Sequence, residues 1–281
     1  MTDVLFEYDV EQDALIEFER GAATADGAPP EERRYPRYTA SAESGRIHPD
    51  DFRRLSEALR DDGSTTMEVR HRVAGGGDAW RWVRMLARML RDAEGRPVRT
   101  IGSWKDVTEE RRRIEQLVDQ ARRDPLTKLL NQGAAAELVA QQLPACAERG
   151  TGALLVADID DFKAVNDNSG HMEGDALLRK VGSVLRSSFR ESDVIGRVGG
   201  DEFVLLLKEV DIDVVLRKLN QVRAQISATT VPGLGHAPTL SVGVYATCSD
   251  DRTYRDVFTR ADEALYQAKR AGKNRVQVYG S

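Results

Sequence analysis

Thiols are nearly absent: the 281-residue chain has two cysteines, Cys146 and Cys248, too far apart in sequence to form a redox or metal-binding pair. A disulfide framework, a zinc knuckle and a dithiol active site are excluded, and both thiols are expected to be buried or incidental in a reducing compartment. No apolar run approaches the ~20 residues needed to cross a bilayer. The opening segment, MTDVLFEYDVEQD, is acidic and lacks the apolar core of a secretory leader. The expectation is a soluble, cytoplasmic chain with no membrane segment. No basic tail stands out and the formal net charge is −5, so neither nucleic acid nor an anionic membrane is the expected partner. Internal repeats and long low-complexity segments are missing too. What is present is enough apolar surface for real cores, 41% of residues, which argues against disorder.

The first part of the chain reads as strands with a few short helices. LFEYDVEQDALIEFER has two apolar-rich segments around a polar turn at Glu11-Gln12-Asp13, the pattern of a hairpin. Gly21 to Pro30 is small and turn-rich, hence a loop. HPDDFRRLSEALRDDG places Phe52, Leu55 and Leu59 at helical spacing, with Gly63 as the stop. Strands are predicted over Thr66–Val73, Trp80–Met89 and Val98–Trp104, separated by turns at Gly75-Gly76-Gly77 and Asp92-Ala93-Glu94-Gly95. The expected result is a small antiparallel sheet with helices on one side.

Residues 108–123 differ. Asp106 and Glu109 have capping-box spacing. Val107, Ile114, Leu117 and Ala121 form an a/d-like seam among many charges, the pattern of a linker helix that pairs with its twin in a dimer. From Asp124 onward strands and helices alternate. Ala153–Ile159 is a continuous apolar strand, and Leu177, Leu178, Val181, Val184, Leu185 and Phe189 mark a helix buried on one face. Val194–Val198 and Phe203–Leu207 flank Gly199-Gly200, a tight-hairpin signal in which both glycines are expected to be free to take positive φ. Thr239–Ala246 reads as a strand, Arg255–Arg270 as a helix closed by Gly272, and Val276–Tyr279 as a last strand. The order suggests an α+β or α/β sheet covered by helices.

Two carboxylate groups stand out. Asp158-Ile159-Asp160-Asp161 ends the apolar strand, and Asp201-Glu202 lies in the Gly-Gly hairpin. Crowded acids raise one another's pKa, and a hard divalent cation relieves that repulsion by taking carboxylate and carbonyl oxygens. Such a cation also attracts phosphate. Lys163, Lys269 and Lys273 are placed to neutralise charge on a triphosphate. Any one of these acids alone reads better as a solvated turn residue or a helix cap; the constellation favours chemistry.

Gly199-Gly200-Asp201-Glu202-Phe203 resembles the name-giving motif of the GGDEF diguanylate cyclases. Asp124-Pro125-Leu126-Thr127 is similar to the family's opening, and Asp158-Ile159-Asp160, Phe162-Lys163, Asn166-Asp167, Gly170-His171 and Gly174-Asp175 to its first long block. Ser241-Val242-Gly243 resembles a later strand, and Ala261-Asp262, Ala264-Leu265-Tyr266, Ala268-Lys269, Gly272 and Asn274 the closing block. The resemblance covers residues 124–281 as a domain and implies a palm-like α+β fold with a central sheet flanked by helices. It implies that Asp158, the Ile159 carbonyl, Asp201 and Glu202 hold Mg²⁺, with Mn²⁺ as the substitute. Asp201 would activate the attacking 3′-hydroxyl, and Lys163 would stabilise the transferring phosphate. Asn166 and Asp175 would read guanine, with His171 either lining the same pocket or structural. Gly199 and Gly200 would let substrate approach the hairpin, and Lys269 and Lys273 would hold the β- and γ-phosphates.

The implied reaction joins two GTP molecules into cyclic di-GMP and two pyrophosphates. Since one domain holds one GTP, two must face each other, and a homodimer through the linker helix and the N-terminal domain is expected. Arg190-Glu191-Ser192-Asp193 has the RxxD form and placement of the family's inhibitory product site, carried by Arg190 and Asp193; its plain alternative is a surface ion pair. The opening departs from the family at Lys128, where Gly is usual, and at Gln132, where Arg is usual, which puts the geometry of that loop in question.

Residues 1–107 resemble a PAS sensor domain, on Trp80-Arg81-Trp82-Val83, Asp92-Ala93-Glu94-Gly95-Arg96-Pro97, Ile101-Gly102-Ser103-Trp104-Lys105-Asp106-Val107-Thr108-Glu109 and His48-Pro49-Asp50-Asp51. The sensed ligand is not legible. His71 or His48 as a haem ligand competes with a structural histidine, and Trp80, Trp82 and Trp104 read as sheet-face or interface aromatics. The full expectation is a sensor-regulated diguanylate cyclase; the alternative is a catalytically silent domain that binds cyclic di-GMP and signals by protein interaction.

Overall fold

The computed structural model describes residues 4–19, 31–39, 46–61, 63–72, 79–230 and 237–280. Two compact units divide the chain, residues 1–117 and 118–281, and the division falls inside one helix.

The first unit is a six-stranded antiparallel sheet in the order β3-β2-β1-β6-β5-β4. The predicted hairpin is β1 (Val4–Asp9) and β2 (Ala14–Glu19), in register from Leu5↔Phe18 to Asp9↔Ala14. β4 (Ser64–His71), β5 (Arg81–Arg91) and β6 (Pro97–Asp106) follow the three predicted strands. β5 shows the period of two: Val83, Met85, Ala87 and Met89 are buried while Leu86 and Leu90 are exposed. α1 (Pro49–Ala58) is capped by the His48 side chain, which accepts from Asp50 N, and it buries Leu55 against the sheet, with Leu59 just past its end. It is the one helix that the described residues place within this unit ahead of the linker. The turn at Gly75-Gly76-Gly77, Val73 and the loop Gly21 to Pro30 lie outside the described residues.

One strand was not read from the sequence. β3 (Glu31–Pro36), EERRYP, carries four charges and ends in proline, and it pairs with β2 at the sheet edge. Charge and proline at an edge discourage further pairing. Trp104, on β6, is a sheet-face aromatic on the buried side: it is stacked on Phe6 at 4.6 Å and on His71 at 5.1 Å. His71 is fully buried and shares a hydrogen bond between its Nε2 and Tyr38 Oη. Burial, with Arg46 nearby, holds its pKa down to about 3, so it is a neutral core residue.

The linker helix, α2, runs Thr108–Ala121 with no buried residue. Its seam is shorter than expected. Val107 is buried in the sheet core with its N–H on Trp82 O, whereas Ile114, Leu117 and the neighbouring Val118 are more than half exposed. The capping box is also absent. Asp106 accepts from Thr108 N and pairs with Arg81, while Glu109 pairs with Arg112.

The second unit has a five-stranded sheet in the order β11-β10-β7-β9-β8. β7 (Ala153–Ile159), β8 (Val194–Arg197), β9 (Glu202–Leu207) and β10 (Leu240–Ala246) pair antiparallel, and β11 (Val276–Val278) joins β10 in parallel. β7 is central and buried at all seven positions, as its unbroken apolar run requires. One face carries α5 (His171–Ser188) and α6 (Ile212–Ser227), whose Leu177, Val181, Val215 and Leu219 pack on Leu155, Ala157, Phe203 and Leu205. The other carries α3 (Gln132–Arg149) and α7 (Tyr254–Arg270), packing Val139, Leu143, Val257 and Leu265 on Leu154, Val156, Val204 and Leu206. α3, α4 (Phe162–Ser169) and α6 were not read from the sequence. α3 is rich in alanine and holds Pro144 inside it, which blurs both its periodicity and its length.

Lys128 takes φ +62°, the left-handed conformation expected of the glycine it replaces, and the opening turn closes around it through Lys128 N to Asp124 O at 2.9 Å. Gln132 begins α3. The opening turn thus closes with Lys128 and Gln132 in place. α7 lies so close on β10 that a Cβ at Gly243 would sit 2.0 Å from Ala261 O and 2.3 Å from Leu265 N. G243A is expected to force the helix off the strand and to destabilise this unit by about 2–3 kcal/mol, a loss of roughly 5–10 °C in Tm by circular dichroism.

Candidate functional site

The site lies where β7 ends beside the β8–β9 hairpin. Asp158 on β7 pairs across the sheet with Glu202 on β9 and with Ser241 on β10. Asp201 stands one residue before β9, and its carbonyl accepts from Ile159 N at 3.3 Å. Strand pairing therefore brings the two predicted acid groups to one edge. Asp158 is buried and Lys269, from the last turn of α7, reaches it with Nζ–Oδ2 2.8 Å. Burial pushes the Asp158 carboxyl up to about 6 against the pull of Lys269, with Asp201 and Glu202 adding repulsion.

Asp160 has a different job from its neighbour. It is buried and accepts from Thr239 Oγ1 at 2.7 Å, Ser241 Oγ at 2.6 Å and Asn274 N at 3.0 Å. Three donors satisfy it as a structural anchor that ties β10 and the segment after α7 to the end of β7. Asp161 opens α4 at φ +54° and pairs with Lys273, Nζ–Oδ1 2.6 Å. Gly272, Lys273 and Asn274 all have positive φ, at +112°, +60° and +47°. Sparsely populated backbone thus gathers on both sides of one ion pair. Neither this pair nor the Asp160 anchor was read from the sequence, because each joins residues more than a hundred positions apart or depends on strand register.

The hairpin glycines behave differently from expectation. Neither Gly199 nor Gly200 adopts left-handed φ. Gly199 packs against the Glu202 side chain, where a Cβ would meet Oε2 at 2.7 Å, and Gly200 faces open space. Their contribution is room rather than backbone twist. Arg197 holds the turn, donating to Gly200 O from Nη2 at 2.7 Å and to both Asp124 oxygens from Nη1 at 3.2 Å. The opening loop and the hairpin are thereby clamped together. Asp124 is held low by Thr127 and Arg197 in spite of its burial.

On the helical side, Gly174 of α5 lies flat against Asn166 of α4: a Cβ there would meet Asn166 Oδ1 at 2.0 Å. This contact packs α5 against α4 at Asn166. Asp175 is half-buried, and its carboxylate is 3.8 Å from Arg179. Lys163 on α4 and His171, the first residue of α5, are exposed.

Arg190 and Asp193 stand at the other end of β8 from the Gly-Gly turn. They do not form a simple ion pair: Asp193 Oδ2 accepts from the Arg190 main-chain N–H at 2.9 Å, and Asp193 is buried. Its Oδ1 is buried with no hydrogen-bond partner, beside a cavity of about 230 Å³ that Gln142, Arg186 and Glu191 also line. Arg190 is exposed.

Among the described residues, no group of three or more His, Cys, Asp or Glu side chains is arranged to hold a metal ion unaided, and no helix is long and apolar enough to cross a membrane. The donors at the site are carboxylate and carbonyl oxygens. Such a partial set fits Mg²⁺, which binds through one or two carboxylates and substrate phosphates rather than an all-protein cage.

Comparison with known proteins bears on the second unit. The family described as "Diguanylate cyclase, GGDEF domain" matches residues 121–275. Diguanylate cyclase DgcP of Pseudomonas aeruginosa is 40% identical over 169 residues, covering 59% of this chain and 25% of that protein. Diguanylate cyclase DgcM of Escherichia coli is 37% identical over 172 residues, covering 61% of this chain and 42% of that protein. The chain thus spans less than half the length of these relatives. A crystal structure of the coiled coil and GGDEF domain of DgcB from Caulobacter crescentus, in complex with c-di-GMP, superposes with TM-score 0.56 at 34% identity, covering 61% of this chain and 93% of that one.

The raised Asp158 carboxyl has a sign that can be measured. The folded chain holds this proton more tightly than the unfolded chain does. Its stabilising effect is therefore complete below pH ~4 and is lost as pH rises through about 6. In metal-free urea denaturation, D158N is expected to gain about 2–3 kcal/mol relative to wild type between pH 4 and pH 7.

Proposed function

The chain belongs to the diguanylate cyclase GGDEF domain family, and from that premise we propose that it condenses two GTP molecules into cyclic di-GMP, releasing two pyrophosphates. The observation that carries this reading is the buried Asp158 facing Glu202 across the sheet, with Lys269 supplying the compensating charge. A buried acid with a second, partly exposed acid facing it suits a site for a metal–triphosphate complex. The Asp158 and Glu202 carboxylates, with Asp201 and the Ile159 carbonyl, would hold Mg²⁺ or Mn²⁺. The bound ion would offset charge developing on the phosphates.

The chain's own residues do the rest in this reading. Lys269 and Lys273 turn from Asp158 and Asp161 to the β- and γ-phosphates. Lys163 meets charge on the transferring α-phosphate. Asp175 on α5 and Asn166 on α4 read guanine, whose N1–H and exocyclic amine suit a carboxylate; adenine offers no such donor pair. Open space at Gly200 admits substrate to the hairpin. Asp201 takes the proton of the attacking 3′-hydroxyl, the new 3′-oxygen–phosphorus bond forms, and pyrophosphate leaves. The second bond forms the same way from the opposing domain.

Two domains must therefore meet. The exposed Ile114, Leu117 and Val118 stripe on α2 supports pairing of linker helices in a homodimer. The first unit, an antiparallel sheet packed on α1, supports the reading of a PAS-type sensor, which would act by changing how the two cyclase domains meet. The buried, unpartnered Asp193 Oδ1 beside the exposed Arg190 supports a product-binding inhibitory site.

Incubation with GTP and Mg²⁺ is expected to give cyclic di-GMP by mass analysis, and D201N is expected to cut turnover by about 10²-fold or more with Tm unchanged. Retained turnover in D201N would show that another group takes the proton. Failure of the wild type to form product while binding cyclic di-GMP would replace the cyclase with a receptor. R190A is expected to keep initial rates within about twofold and to weaken inhibition by added cyclic di-GMP at least tenfold, a hydrogen-bonded charge being worth roughly 1.5–3 kcal/mol; unchanged inhibition would remove Arg190 from that site.

A further inference from the structure

Arg223 lies on α6, on the sheet face opposite α7, and has no role in the account so far. Its guanidinium nevertheless reaches the end of the α7 segment. Nη2 donates to the Asn274 main-chain carbonyl and to Asn274 Oδ1, the latter at 2.7 Å. Nη1 donates to Asn220 Oδ1 at 2.9 Å, which fixes the side chain along its own helix. On its other side Asn274 donates its N–H to the buried Asp160, itself held by Thr239 and Ser241.

Asn274 is thus gripped from both sides, on its carbonyl and side chain by Arg223 and on its N–H by Asp160. It is also the last of three consecutive residues with positive φ, two of which are not glycine. Left-handed non-glycine residues cost about 1 kcal/mol each and persist only where surrounding contacts over-determine them. The residue held in the middle of that run is Lys273, whose ammonium pairs with Asp161 at the mouth of the site.

We propose that Arg223 is a positioning residue for the nucleotide site: by clamping Asn274 in its left-handed conformation against Asp160, it holds Lys273 where the terminal phosphates of GTP bind. This rests on the reading of Lys273 as a phosphate-binding lysine. Arg223 touches no substrate in this account; it acts through two residues of backbone. A planar fork with two donors on one partner and one on its own helix explains why arginine serves here, since lysine offers a point charge in place of that fixed geometry.

The test is steady-state kinetics of pyrophosphate release by the full chain, with calorimetric GTP affinity beside it. R223A is expected to raise KM for GTP about tenfold with kcat within threefold of wild type. R223K is expected to recover part of the loss. K273A is expected to raise KM by at least as much, and the double variant R223A/K273A no further than K273A alone, since both changes remove one grip. N274G, which keeps left-handed freedom while losing the Oδ1 acceptor, is expected to fall between wild type and R223A, and it carries the comparison with R223K should R223A fail to fold. Unchanged KM in R223A beside an impaired K273A would overturn the proposal alone. Multiplying effects in the double variant would also overturn it. Unchanged KM and GTP affinity in K273A would overturn the phosphate reading of Lys273 and the proposal with it.

Discussion

A carboxylate buried at the end of a central strand, with two more acids beside it, needs a cation. Asp158 is in that position, and Lys269 answers the need. Burial raises its pKa, Lys269 draws it back, and Asp201 and Glu202 make the charge harder to bear. A fold selected for stability alone would place an apolar residue there, as it does at the other positions of β7. On the proposed reading, this charge at the strand end would receive a cation and its phosphates.

The remaining architecture holds that strand end in place. α7 lies directly on β10 because Gly243 leaves no side chain between them, which delivers Lys269 to Asp158. Asp160 turns its carboxylate the other way and fastens β10 and Asn274. Arg197 joins the hairpin to Asp124 in the opening loop, one residue pair from the end of the linker helix. Strain follows the same map: Asp161, Lys273 and Asn274 all hold left-handed backbone around the lysine–aspartate pair.

Much of this was legible in the letters. The apolar run of β7, the acids at its end and the double glycine before Asp201 announce their places because local pattern dictates them. Gly272 likewise closes α7 as its sequence suggests. Other features were not legible, for physical reasons. Asp158 and Asp160 look alike in sequence, and only strand pairing separates the charge left facing two acids from the one satisfied by three donors. Arg223 and Asn274 meet by tertiary packing of α6, which no local period encodes. β3 hid behind charge, and α3 behind alanine and Pro144. Lys128 shows the converse: a residue ill-suited to left-handed backbone still adopts it, because the loop's hydrogen bonds outweigh a cost of about 1–2 kcal/mol.

The most direct measurement is a crystal structure of the full chain with Mg²⁺ and a non-hydrolysable GTP analogue. The ion is expected at the Asp158 and Glu202 carboxylates, with the Lys269 and Lys273 ammonium groups moved from Asp158 and Asp161 onto the terminal phosphates. A nucleotide bound elsewhere, or bound here with both lysine–aspartate pairs intact and no ion at Asp158, would contradict it.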